Sequence, residues 1–154
     1  MAIGWRIVQA HVADRAFSGE GARRYGGRWN SKGFAVVYTS SSISLAILEI
    51  LVHIPIYGIL EEYVYIPAEF DQDLAATLNT ENLPDDWNKD PPSQTIKQIG
   101  DSWVENQESA ILEVPSAIVP TEKNYLINPA HPDFRKLKIG SPTKFEFDPR
   151  LIKS

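Results

Sequence analysis

Ten consecutive residues, Ile43 to Val52, carry a single charge, Glu49. A carboxylate in so apolar a run must be paired, protonated or open to a cavity, because an unpartnered buried charge is strongly destabilising. Ser40, Ser41 and Ser42 precede the run as N-cap candidates and Pro55 follows it, so the spacing predicts a helix from about Ile43 to His53. Apolar side chains fall on almost every side of that helix, which predicts burial nearly all round. The fold must therefore cover the helix and also give Glu49 a partner: His53 one turn on, an arginine of the basic loop before it, or a ligand.

Five of the nine glycines lie between Gly19 and Glu49, in the same stretch as the turn Gly26-Gly27-Arg28-Trp29-Asn30. Glycines open backbone shapes that bring amides close to an anion, and the Arg28 guanidinium offers a planar fork of donors for a phosphate. Taken alone, Gly-Gly-Arg is equally a surface arginine beside a turn. Tyr38, on the run Ala35 to Thr39, is either a core aromatic or a ring facing the same cavity as Glu49. Neither Gly-x-x-x-x-Gly-Lys-[Ser/Thr] nor Gly-x-Gly-x-x-Gly occurs, which disfavours the standard nucleotide folds. His11, His53 and His131 lack metal-ligand spacing, and no metal is expected. Ser116 reads as a turn serine without a nucleophile elbow around it, and Asn128 and His131 sit in a further turn that is a candidate border of the site.

Charge divides the chain: residues 1–33 hold six basic and two acidic side chains, whereas residues 34–154 hold nine basic and eighteen acidic ones. The overall charge of −5 and pI near 5.2 are the opposite of a general nucleic-acid footprint, so direct nucleic-acid binding is not expected. Glu61 to Glu113 holds thirteen acids against Lys89 and Lys97, either a solvated face or an attraction for a basic partner surface. The absence of cysteine suits a reducing compartment, the start Met1 to Arg6 is unlike a signal peptide, and the longest apolar run is far below the ~20 residues a bilayer span needs. The expectation is a cytoplasmic protein without a membrane segment.

The 154 residues suit one domain, 1–154. Strands are expected at Trp5 to Val8, at Ala35 to Thr39 paired hairpin-fashion with Trp29, at Glu61 to Pro67, at Ala110 to Val114, at Asn124 to Ile127 and at Phe145 to Phe147. Ala10 to Gly27 and Glu69 to Pro92 read as irregular, and Ser93 to Trp103 as a short helix interrupted at Gly100. Strands with one early helix and no βαβ alternation indicate the α+β class.

The blocks Gly19-Glu20-Gly21-Ala22, Gly26-Gly27-Arg28-Trp29-Asn30 and Leu45-Ala46-Ile47-Leu48-Glu49, extended by Val114-Pro115-Ser116 and Asn124 to Pro132, resemble the RES family, toxins of bacterial toxin–antitoxin pairs. The family is named for an arginine, a glutamate and a serine, which correspond to Arg28, Glu49 and Ser116. The resemblance implies an ADP-ribosyltransferase-like fold, a curved split sheet with a central NAD cleft. It also implies degradation of NAD at the nicotinamide–ribose bond, by water or with inorganic phosphate as co-substrate, and no cofactor beyond NAD itself. On this reading Glu49 stabilises the developing ribose cation, Arg28 with Arg6 as helper holds the diphosphate, Tyr38 stacks on the nicotinamide, and Ser116 donates a hydrogen bond to NAD. The implied partner is an Xre-like helix-turn-helix antitoxin, with a homodimer by family analogy. ADP-ribosyl transfer to a protein, and a non-catalytic binding module built on an Arg28–Glu49 pair, are the competing readings.

Overall fold

The computed structural model describes residues 1–55, 58 and 61–151. Eight strands form one mixed sheet: β1 (Ala2–Gln9), β2 (Val37–Ser40), β3 (Tyr63–Phe70), β4 (Ala75–Thr77), β5 (Ile111–Pro115), β6 (Lys123–Ile127), β7 (Lys138–Ile139) and β8 (Thr143–Phe145). Their order is β4-β5-β6-β2-β1-β3, with β7 and β8 side by side on the outer edge of β3. Among the described residues only β4 and β5 pair in parallel. β1 and β3 pair along their whole length, yet β1 meets β2 at a single register, Trp5 opposite Ser40. The sheet is thus two halves joined at one point, the split α+β arrangement expected.

Strand alternation follows the apolar pattern. Tyr63 and Tyr65 pack with Trp5, Ile7 and Ala46 on one face, while Val64 and Ile66 pack with Val8 and Ala16 on the other. Two longer helices cover the first face. Helix α2 (Ile43–Leu51) lies over the β1–β3 half, and α3 (Gln94–Glu105) lies over β5, β6 and β2 through Ile96 and Trp103. The register places Tyr38, Ser40 and Asn124 on that same face, in the strip where the halves meet. Ser42 caps α2 by accepting from the Leu45 amide, and Ser93 caps α3 in the same way from Ile96.

Several sequence expectations are corrected. Residues 10–27 are not irregular throughout: they hold a 3-10 turn over Ala10–Arg15 and a short helix α1 (Glu20–Tyr25), built on the Gly19 and Gly26 backbones at φ 74° and 76°. Trp29 is in no strand; it is a buried anchor of the core beneath α3, with only a lone bridge between Gly27 and Asn30 beside it. Helix α2 stops at Leu51 and is buried on one side only, leaving Leu48 and Val52 42% and 61% exposed. The last strand lies at Thr143–Phe145, two residues before its expected place, because Phe147 turns in to pack on Tyr63. The acidic excursion holds the unforeseen β4.

Helix α3 runs through Gly100 without a break. A Cβ there would be driven into the Trp29 carbonyl, so the glycine is a point of contact between α3 and the Gly26–Asn30 turn. Helix propensity alone favours Gly100→Ala by about 1 kcal/mol. We expect the reverse sign: Gly100→Ala lowers the melting temperature, and an unchanged or raised melting point would show that α3 does not sit on the turn.

Candidate active site

Glu49 lies on α2 facing the ends of β5 and β6. Its Oε1 accepts the Ser116 hydroxyl at 2.6 Å and the Asn124 amide Nδ2 at 3.0 Å. Ser116 follows directly on β5 and is fully buried; its Oγ also accepts the Ile118 and Val119 amides, both at 3.1 Å. With its proton on Glu49 and its lone pairs on two backbone N–H groups, this hydroxyl is saturated. No lysine, arginine or histidine among the described residues lies within salt-bridge distance of Glu49. The alternative of a pairing with His53 or an arginine is absent there, and among the described residues the carboxylate is supported by neutral donors alone.

Arg28 is held elsewhere. Its Nη1 donates to the Trp87 carbonyl at 3.2 Å and to the Lys89 carbonyl at 2.7 Å, tying the Gly26–Asn30 turn to the acidic excursion. The remaining guanidinium nitrogens have no hydrogen-bond partner among the described residues, and no Arg28–Glu49 ion pair forms among them. A cleft of about 480 Å³ is lined by Thr80, Asp85, Trp87, Pro115 and Lys123; none of Glu49, Arg28, Tyr38 and Ser116 is in that lining, which comes nearest to them at Trp87, whose carbonyl takes Arg28, and at Pro115, next to Ser116 in the chain. A larger hollow of about 630 Å³ lies between His11, Phe17, Ile66 and Ile139 and touches none of the candidate residues.

Tyr38 directs its hydroxyl into the turn. It donates to Asn30 Oδ1 at 2.6 Å and accepts from the Trp29 amide at 3.0 Å. Burial pushes the phenol far above its ordinary range, against the opposing pull of the Trp29 N–H, so it stays neutral. A Cβ on Gly27 would sit 2.5 Å from the Tyr38 oxygen, which is why the second glycine of the pair cannot be replaced without moving the ring. Asn30, fully buried, turns its Nδ2 towards the carbonyls of Ala22, Ser31 and Phe34, and Asp101 on α3 takes the Ser31 amide at 2.8 Å. The turn is thus held from three sides.

Arg6 fills the gap where β1 and β2 diverge. It donates to the Ala16 carbonyl at 3.1 Å and the Tyr38 carbonyl at 3.2 Å, and burial lowers its guanidinium to about 10, still cationic at neutral pH. Asn128 follows the far end of β6 from Asn124, about 14 Å along the strand at 3.4 Å per residue, and His131 lies past the strand at the start of the next 3-10 turn. Asn128 Nδ2 is buried without a partner among the described residues, and His131 bonds the Gln107 carbonyl and the Asp133 amide. Among the described residues no three His, Asp or Glu side chains are grouped as a metal site requires, and no helix is long and apolar enough to cross a membrane. Sequence reasoning missed Ser40, Asn124, Asn30 and Asp101, whose roles arise from pairings 8 to 84 residues apart in the chain.

A family model described as RES domain matches residues 3–148. Toxin Res of Yersinia enterocolitica is 43% identical over 148 residues, spanning 96% of this chain and 97% of its own. The Prs ADP-ribosylating toxin of Sphingobium is 39% identical over 155 residues, spanning 97% and 96%. Among solved structures, a chain of the Mycobacterium tuberculosis MbcT–MbcA toxin–antitoxin complex superposes with a TM-score of 0.78 at 20% identity, over 97% of this chain and 86% of that one. At that identity the likeness speaks for the fold: an α+β, ADP-ribosyltransferase-like curled sheet.

Tyr38→Phe keeps the ring and removes the hydroxyl, leaving the Trp29 amide and Asn30 Oδ1 without their partner. We expect a loss of about 1–3 kcal/mol in denaturant unfolding. Wild-type stability would mean that the hydroxyl does not anchor the turn.

Proposed function

Because the chain belongs to the RES domain family, we propose that it is the toxin of a toxin–antitoxin pair and that it cleaves the nicotinamide–ribose bond of NAD at Glu49. One observation carries this reading: a partly buried carboxylate held by two neutral donors on one oxygen, with no cation cancelling its charge among the described residues. As the glycosidic bond breaks, nicotinamide leaves as a neutral molecule with the bonding electrons, and positive charge grows on the ribose. A fixed negative charge beside that ribose favours the transition state over the ground state. Water, which then loses a proton, or inorganic phosphate, through an anionic oxygen, forms the new bond to the anomeric carbon. Nicotinamide needs no proton to depart, so one carboxylate suffices.

Arg28 offers to the diphosphate the guanidinium nitrogens that have no partner among the described residues, and Arg6, a cation bonded to two carbonyls, adds to the positive field. Tyr38 contributes its ring face, since its hydroxyl is already engaged. The Ser116 proton is committed to Glu49, so its part is to orient the carboxylate, and a hydrogen bond to NAD would require that proton to change partner. The partner proposed is an Xre-like helix-turn-helix antitoxin that closes the cleft, consistent with the toxin–antitoxin complex that shares the fold. Cytoplasmic action and a homodimer complete the proposal.

A second reading, ADP-ribosyl transfer to a protein, is favoured by the name of the Sphingobium relative, an ADP-ribosylating toxin. Purified protein incubated with NAD, with and without phosphate, separates them: free nicotinamide with ADP-ribose or its phosphate supports cleavage, and labelled protein supports transfer. No turnover of NAD under either condition would sink both.

Two substitutions follow from the assigned roles. Glu49→Gln keeps the side-chain volume and is expected to lower the rate ~10²- to 10³-fold while NAD still binds. A folded Glu49→Gln protein releasing nicotinamide at the wild-type rate would remove the catalytic assignment. Arg28→Lys is expected to raise KM about 10-fold or more, because an ammonium cannot reproduce two parallel donors; a wild-type KM in this variant would refute the clamp.

A further inference from the structure

Glu49 has two partners, and they are held in different ways. Ser116 is fixed by backbone amides on its own turn. Asn124 is fixed by another side chain: the Ser40 hydroxyl donates to its Oδ1 at 2.7 Å, and its Nδ2 donates onward to Glu49 Oε1 at 3.0 Å. The β2–β6 register sets Ser40 directly opposite Asn124, and the two side chains are 3% and 8% exposed. An asparagine amide has unlike ends, one donor and one acceptor. With the Ser40 O–H on the acceptor end, the NH₂ end must face the carboxylate; turned over, Oδ1 would confront Oε1 with no proton between them.

Both donors meet the same oxygen, and Oε2 makes no hydrogen bond among the described residues. Two bonds to one oxygen, from donors on different strands, restrain rotation of the carboxylate about its last torsion more tightly than either would alone. We propose that Asn124, oriented by Ser40, is a positioning residue that holds the Glu49 carboxylate with Oε2 presented to the ribose. The inference rests on the reading of Glu49 as the carboxylate that cleaves NAD.

The test is steady-state NAD cleavage by the full chain, with melting curves on each variant. Asn124→Ala should lower kcat about 10- to 100-fold with KM within about twofold, as expected when a reacting group loses its aim and binding is untouched. Ser40→Ala should act in the same direction and more weakly. Asn124→Asp, although isosteric, should be at least as damaging as alanine, because it sets a second carboxylate against Glu49. In a Glu49→Gln background, Asn124→Ala should cost little more, since the aimed group is already gone. Wild-type kcat in Asn124→Ala, or the same loss in both backgrounds, overturns the proposal. Should Asn124→Ala not fold, Ser40→Ala decides, and wild-type kcat there overturns it. The wild-type rate reads the parent assignment separately: absence of nicotinamide release removes both, whereas an active wild type with unaffected variants removes this inference alone.

Discussion

The Glu49 carboxylate, supported among the described residues by neutral donors alone, sets terms for everything around it. Glu49 needs the Ser116 hydroxyl from the end of β5 and the Asn124 amide from the start of β6, so α2 must rest over the ends of two strands far from it in the chain. A lysine or arginine in that place would satisfy the charge more strongly and cancel it. Hydroxyl and amide hold the group while leaving the field it projects intact. The same need explains why Ser116 and Asn124 are buried polar residues with every role accounted for, rather than apolar packing.

The joint between the sheet halves serves that arrangement. Where β1 and β2 part after Trp5 and Ser40, the Tyr38 carbonyl of β2 is taken by Arg6, which also ties the strand to the Ala16 carbonyl at the end of the 3-10 turn Ala10–Arg15. A guanidinium with no salt-bridge partner among the described residues is a costly way to satisfy two carbonyls. It also leaves a positive charge beside the strand that carries Tyr38, which a neutral donor would not.

Strand positions in β1, β2, β3, β5 and β6 were legible because each shows two-residue alternation or a β-branched run, and Glu49 was legible because it alone breaks an apolar helix. Arg28 and Tyr38 stood out through the glycines and the strand beside them. What escaped was long-range. Nothing local to Asn124 marks it as facing Glu49; that depends on β2–β6 register and on the angle at which α2 crosses. Gly100 read as a helix breaker because propensity is a local quantity, whereas its cause, the Trp29 carbonyl, comes from seventy-one residues earlier in the chain. Helix α2 looked enclosed by composition, yet Leu48 and Val52 face outward, since the core beneath α2 is shallow enough to need only one side of it.

The Gly26–Asn30 turn has the composition of a flexible loop and the bonding of a core. Tyr38 holds it from the sheet, Asp101 and Gly100 hold it from α3, and Asn30 closes it on itself. Conformational freedom in that stretch is therefore surrendered when the chain folds, and a ligand arriving later meets a surface with little left to order. Binding energy at such a turn goes into contacts and not into immobilising backbone. A molecule must match the shape it finds there, because the protein has no cheap way to reshape it.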